Sequence, residues 1–160
     1  MSVNLEKRTV GVGDDALVED AWALKERIRR REGVLKQRRA FFTRAYRRST
    51  VHCYVLPDAD ELVGFAAVRS DGYLLFLAIA PEHRSEGLGQ RLVAHAAEDH
   101  ARISCHARTT NEDALGFYEH LGFERVRYVE NYYEDSGDAY YLRLGEDAGL
   151  ADRLSSLLRR

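Results

Sequence analysis

Cysteine and proline are both scarce in this chain, with two of each in 160 residues. Cys53 and Cys105 are too few for a disulfide framework or a cysteine-rich zinc site, and each lies inside an apolar stretch. They read as reduced core thiols, the usual state in a reducing compartment, so a cytoplasmic protein is expected. The prolines, Pro57 and Pro81, stand far apart, which excludes a proline-rich extended linker. No apolar run approaches the ~18 residues of a membrane-crossing helix. Met1 to Lys7 carry no apolar signal-peptide core. No Gly-Lys-Ser/Thr triplet occurs, which excludes a nucleoside-triphosphate loop. His95 and His100 are five positions apart, off one helix face, so no metal is expected.

The formal net charge is only −2, but its two signs are separated along the chain. Lys25 to Arg48 holds eleven basic residues against Glu26 and Glu32, whereas Glu112 to Asp147 holds ten acidic residues against three arginines. The basic run reads either as a solvated helix face or as a surface meeting RNA, a ribosome or an acidic partner. Phe41, Phe42 and Tyr46 within it have the spacing of a helix packing an apolar face.

Hydrophobic period and turn residues divide the chain into alternating elements. Arg8 to Val12 predicts a strand, and Asp14 or Asp15 is placed to cap the helix that follows. Gly33 breaks that helix, and a second runs to about Arg48. His52–Leu56, Leu62–Arg69 and Tyr73–Ile79 read as strands, the last two joined by an Asp71-Gly72 hairpin turn. A helix is expected to His100, then an alternating strand Arg102–Arg108. Thr110 and Asp113 have the spacing of a capping box for the next helix, which Gly122 ends. Phe123–Tyr133 and Ala139–Leu144 read as a hairpin turned at Asp135-Ser136-Gly137. The expected domain is residues 1–145. Residues 146–160, with leucines at helical spacing, form a tail packing on it or on a second subunit, in a monomer or homodimer. Strands alternating with helices around a hairpin predict an α/β fold, a single mixed central sheet flanked by helices, with one right-handed parallel crossover.

The segment Arg84-Ser85-Glu86-Gly87-Leu88-Gly89 follows an apolar strand and opens a helix. Helix-starting N–H groups lack internal partners, and the helix dipole adds positive charge there. Glycine lets an anion approach the backbone closely, so this is a phosphate-holding turn.

With Asn111-x-x-Ala114-x-x-Phe117-Tyr118-x-x-Leu121-Gly122-Phe123 downstream, the chain resembles the GCN5-related N-acetyltransferase (GNAT) superfamily over residues 5–145. The resemblance implies acetyl-CoA as cosubstrate. Arg84, Ser85, Glu86, Gly87, Leu88, Gly89 and Gln90 match the pyrophosphate loop. Leu77, Ala78 and Ile79 match a strand whose bulged backbone bonds the pantetheine arm. Asn111 matches an asparagine on that arm, and Tyr118 a tyrosine near the sulfur. The segment 131–140, with Tyr132 and Tyr133, is similar to the hairpin with which ribosomal-protein-type N-terminal acetyltransferases hold substrate backbone. In place of those enzymes' catalytic glutamate, twelve residues before the tyrosine, stands His106.

Acyl transfer to an amine requires loss of the ammonium proton, and a base of near-neutral pKa suits that. His106 is the first candidate and Glu130 the second; Tyr118 is placed to protonate the leaving thiolate. Glu130, Tyr132 and Tyr133 are the candidate acceptor contacts. The implied activity is acetylation of a protein or peptide α-amine. Alternatives are acetylation of a small amine (a polyamine, amino acid or drug-like amine) and a weakly catalytic CoA-binding or RNA-associated module.

Overall fold

The structure, a computed structural model, describes residues 4–59 and 61–145; the expected C-terminal tail lies outside the described residues. The order is β1 (Glu6–Val10), α1 (Val18–Glu32), α2 (Arg39–Arg47), β2 (Thr50–Leu56), β3 (Glu61–Val68), β4 (Leu74–Ile79), α3 (Leu88–Ala97), β5 (Arg102–Arg108), α4 (Glu112–His120), β6 (Glu124–Val129) and β7 (Ala139–Gly145). The sheet divides into two wings. The first is an antiparallel meander ordered β1-β2-β3-β4, and the second is ordered β5-β7-β6. They meet at one parallel bridge, Tyr73 with Ser104, closed by the Ser104 N–H donating to Gly72 O at 3.1 Å. Beyond this vertex β4 and β5 diverge.

A bulge in β4 accompanies the divergence. Ala67 faces Phe76 and Val68 faces Leu74, so Leu75 is an extra residue on β4. The alternation slips there. Leu75 and Phe76 both join the core beneath α1 and α2, while Leu74, Leu77 and Ile79 pack on the α3 side. Bulges bend and twist a strand, here turning β4 away from β5.

Phe42, fully buried, anchors the α1–α2 layer against Trp22, Tyr46, Phe65 and Phe76. On the other side Leu92, Val93 and Ala96 of α3 meet Ile103, Cys105 and Leu142 of the second wing. The Asp71-Gly72 turn forms as expected, with Gly72 at φ 84°.

Local details differ from the sequence reading. Helix α1 starts at Val18, with Leu17 in the N-cap place at φ 64° and no side-chain cap. Asp14 accepts from the Ala16 N–H instead, and Asp15 pairs with Arg47. The cap of α4 is Asn111, whose Oδ1 accepts from the Ala114 N–H at 3.1 Å; Thr110 does not cap it. Strand β6 ends at Val129, so Tyr132 and Tyr133 lie in a loop. Lys25 is fully buried, its ammonium 4.5 Å over the Trp22 ring and donating to the Gln37 carbonyl. That contact pins the segment between α1 and α2.

Candidate active site

The divergence of the wings opens a cleft of about 980 Å3, lined by β4, β5, the α1–α2 segment, the N-termini of α3 and α4, and Tyr133. It gathers Leu77, Ala78, Ile79, Arg84, Ser85, Gly87, Leu88, Gly89, Gln90, His106, Asn111, Tyr118 and Tyr133. Glu86 and Tyr132 are not in the lining. Glu130 is exposed at the end of β6 and does not line the cleft either, so the structure does not bring it to the site.

Among the described residues, one edge of β4 faces the cleft with no strand paired to it. The Ala80 N–H donates to Val63 O on the β3 side. By strand alternation the peptide groups of Leu77 and Ile79 turn the other way. Arg84 Nε meets the Ile79 carbonyl on that open edge at 3.3 Å. The bulge itself lies at Leu75 rather than within Leu77–Ile79.

The turn into α3 is shaped for an anion. Ser85 and Gly87 have φ of 69° and 79°, and Gly87, the N-cap, has open space where a Cβ would stand. Gly89 serves packing, since a Cβ there would lie 3.1 Å from two ring atoms of Phe117 on α4. The loop's side-chain charges are already committed. Arg84 forms a two-pronged ion pair with Glu32 at the end of α1, and Glu86 lies 3.3 Å from His83. That leaves the backbone N–H groups and the α3 dipole as the features of the turn that would attract an anion. These features fit the pyrophosphate of acetyl-CoA.

Tyr118 and Cys105 both sit in the wall of the cleft. Burial raises the Tyr118 pKa well above 10 and that of Cys105 to about 12. Tyr118 is therefore a protonated donor and Cys105 an unreactive thiol.

At the vertex, His106 Nδ1 and the Tyr73 hydroxyl share a 2.5 Å hydrogen bond. Tyr132 lies flat on the imidazole at 4.0 Å and 11°, and its hydroxyl is 3.2 Å from that of Tyr73. Burial, then the charge of Arg127, lowers the His106 pKa to about 4. Burial also pushes the Tyr73 pKa far up. Sequence reasoning missed Tyr73, which reads as an ordinary strand opener; its place after a tight turn, beside the first residues of β5, is set by the wing junction.

The basic run is largely neutralised within the fold. Lys25, Arg27, Arg29, Lys36, Arg38, Arg39 and Arg47 each pair with a carboxylate. Among the described residues no helix is long and apolar enough to cross a membrane, and no cluster of three metal-ligating side chains occurs.

Residues 49–125 match the acetyltransferase (GNAT) domain family. A Bacillus subtilis protein assigned by name to [ribosomal protein bS18]-alanine N-acetyltransferases is 32% identical over 95 residues, covering 54% of this chain and 63% of that protein. The 5-NmdU N-acetyltransferase of Pseudomonas phage PaMx11 is 33% identical over 86 residues, covering 49% and 60%. The chain thus spans less than two thirds of the length of these curated relatives. Arabidopsis thaliana Naa50 in complex with the bisubstrate analogue CoA-Ac-MVNAL has the same fold, with a TM-score of 0.67 at 22% identity over 87% of this chain and 98% of that one. Fold and site define a two-winged α/β domain with a cleft at the junction of the wings. Residues 49–125 are thus similar to the GNAT acetyltransferase domain, and the chain is similar to a protein named as a ribosomal-protein N-acetyltransferase.

Proposed function

We propose that the chain transfers the acetyl group of acetyl-CoA to the α-amine of protein or peptide N-termini. The observation that carries this is the Tyr73–His106–Tyr132 cluster at the vertex of a cleft whose other end is a phosphate-holding turn. Acetyl-CoA supplies the acetyl group as a thioester. The N–H groups of residues 85–90 hold its pyrophosphate, and Asn111, whose carboxamide oxygen is spent on the α4 cap, offers its NH2 to the arm. The open peptide groups of Leu77 and Ile79 bond the arm and stabilise charge developing on the carbonyl oxygen. Tyr118 donates its hydroxyl proton, or a hydrogen bond, to the departing sulfur. The proton leaving the amine passes to the Tyr73–His106 pair, in which one member donates while the other accepts.

The acidity of His106 selects the amine. A group with a pKa of about 4 is a poor base toward an ammonium ion. An α-amine titrates near 7.7–8.0, so roughly a third is already neutral at pH 7.5, against about 0.1% of lysine side chains. A weak relay therefore favours α-amines. The loop carrying Tyr132 and Tyr133 is placed to hold the substrate backbone.

A second reading, acetylation of a small amine, draws on the phage relative, whose name gives 5-NmdU rather than a peptide as acceptor. Acetyl-CoA turnover with free-N-terminus peptides, N-blocked lysine peptides and small amines separates the two. Peptide α-amines are expected to be acetylated fastest. Turnover confined to small amines would refute the proposal.

A further inference from the structure

The Asp135 carboxylate, in the loop between β6 and β7, gathers three separate parts of the chain. Arg108, the last residue of β5, donates from Nη1 to its oxygens at 3.0 and 3.1 Å. Lys36, in the α1–α2 segment, donates at 3.2 Å. The Gly137 N–H donates at 3.0 Å from within the turn. These donors, Arg108 foremost, hold the carboxyl at a pKa of about 2. The turn passes close beside the pair: a Cβ on Gly137 would stand 2.5 Å from Arg108 Nη1 and 3.0 Å from Asp135 Oδ1.

Arg108 carries this arrangement to the aromatic wall. Its guanidinium carbon lies 4.0 Å from the centre of the Tyr133 ring. Tyr133 meets Tyr132 edge-on at 4.9 Å, and Tyr132 stacks on His106. Tyr132 itself is 42% exposed and lies beyond the end of β6, outside the strand ladder. Its position against His106 therefore needs support from elsewhere. The Arg108 side chain is only 16% exposed, against 49% for Lys36. Screening by water weakens the Lys36 pair more, so Arg108 is the stronger tether.

We propose that Asp135 is a positioning residue for the acceptor side of the site: through Arg108 it holds Tyr133 and Tyr132 against His106, and through Lys36 it joins the two rims of the cleft. This rests on the acceptor site proposed above. A wall fixed before the acceptor arrives spares binding the cost of ordering it. His106 is faced by Tyr73 from the bridge just before β4, Tyr132 from the loop, Tyr141 from β7 and Arg127 from β6. Loosening Tyr132 wets the imidazole and leaves Arg127 in place, so part of the His106 depression is relieved.

The test compares Asp135→Asn, Asp135→Glu and Lys36→Met with the unaltered protein. Asp135→Asn is expected to raise the acceptor KM roughly tenfold, the scale of one charged hydrogen bond, with the acetyl-CoA KM unchanged. The acid limb of kcat should move upward, and Asp135→Glu should restore most of both. Lys36→Met should raise the acceptor KM by a smaller factor and leave the limb in place. NMR titration of His106, without substrate, should show its pKa rising in Asp135→Asn. An unmoved His106 titration, or an equal rise in both KM values, would reduce the contact to an ordinary surface ion pair. If the unaltered protein acetylates no amine, the proposed function fails while the NMR measurement still decides the positioning role. Should Asp135→Asn not fold, Arg108→Lys keeps the charge, loses the flat contact with Tyr133, and gives the same NMR readout.

Discussion

Arg84 and Glu32 face each other fork to fork, with guanidinium nitrogens 2.6 and 2.7 Å from the two carboxylate oxygens. The arginine of the phosphate-holding turn is thus neutralised by α1, and an incoming pyrophosphate competes with Glu32 for it. Glu32→Gln is expected to tighten CoA binding by up to about fivefold, in line with about 0.2–1 kcal/mol for an exposed ion pair. Calorimetric titration with CoA checks this. Weaker binding in the variant would mean that Glu32 presents Arg84 to the ligand rather than withholding it.

The Tyr73–His106 pair should behave as a unit. Tyr73→Phe and His106→Asn are each expected to lower kcat by roughly 10²-fold, the lower range for a proton-transfer group. The double variant should cost little more than either alone, because groups in one relay are not additive. Single-turnover rates measure this, and strictly multiplicative losses would separate the two residues.

Gly89→Ala should destabilise the fold and weaken CoA binding together. The new methyl meets the Phe117 ring at 3.1 Å, and overpacking of this kind costs about 1–3 kcal/mol. Thermal unfolding with and without CoA separates the two effects. An unchanged melting temperature would show that α4 yields freely at this contact.

A buried pair away from the cleft predicts acid sensitivity. His52 and His95 stack between β2 and α3, with the Tyr54 hydroxyl 2.9 Å from His95 Nε2 and, among the described residues, no hydrogen-bond partner on His52 Nδ1. Burial lowers the His52 pKa to about 4 and also lowers that of His95. The folded state resists a proton that the unfolded chain accepts near 6.5. Stability is therefore full above pH 6.5 and falls as the pH drops toward 4, by about 1.4 kcal/mol per pH unit for a fully discriminating histidine. Melting temperatures at pH 7 and 5 should differ accordingly. His52→Phe should flatten the dependence, since it removes both the titration and the unpaired nitrogen.

Much of the donor end was legible in the sequence, because its signals are local. Gly87 and Gly89 after a strand mark the turn into α3, and Asn111 to Phe123 span the cap, body and end of α4; what they hold was implied by the family resemblance. The vertex was not. The run Leu74-Leu75-Phe76-Leu77 is uniformly apolar, so the slip of alternation at Leu75 leaves no trace in it. Lys25 sits in a basic run and looks solvated, yet Trp22 and Gln37 bury it. The gathering of Lys36, Arg108 and Asp135 joins positions up to 99 apart in the chain, and no local pattern encodes it.

The unpaired edge of β4 has a consequence for association. A bare edge strand ordinarily recruits the edge of another molecule, the route to sheet-to-sheet aggregates. Here β5 is joined to the start of that strand by the Tyr73–Ser104 bridge, and residues of both strands line the cleft between them. The gap is a wedge: a single slender chain can slide along β4, but a second sheet cannot come up flush against it. The divergence of two strands thus gives the protein a docking groove without an aggregation-prone margin.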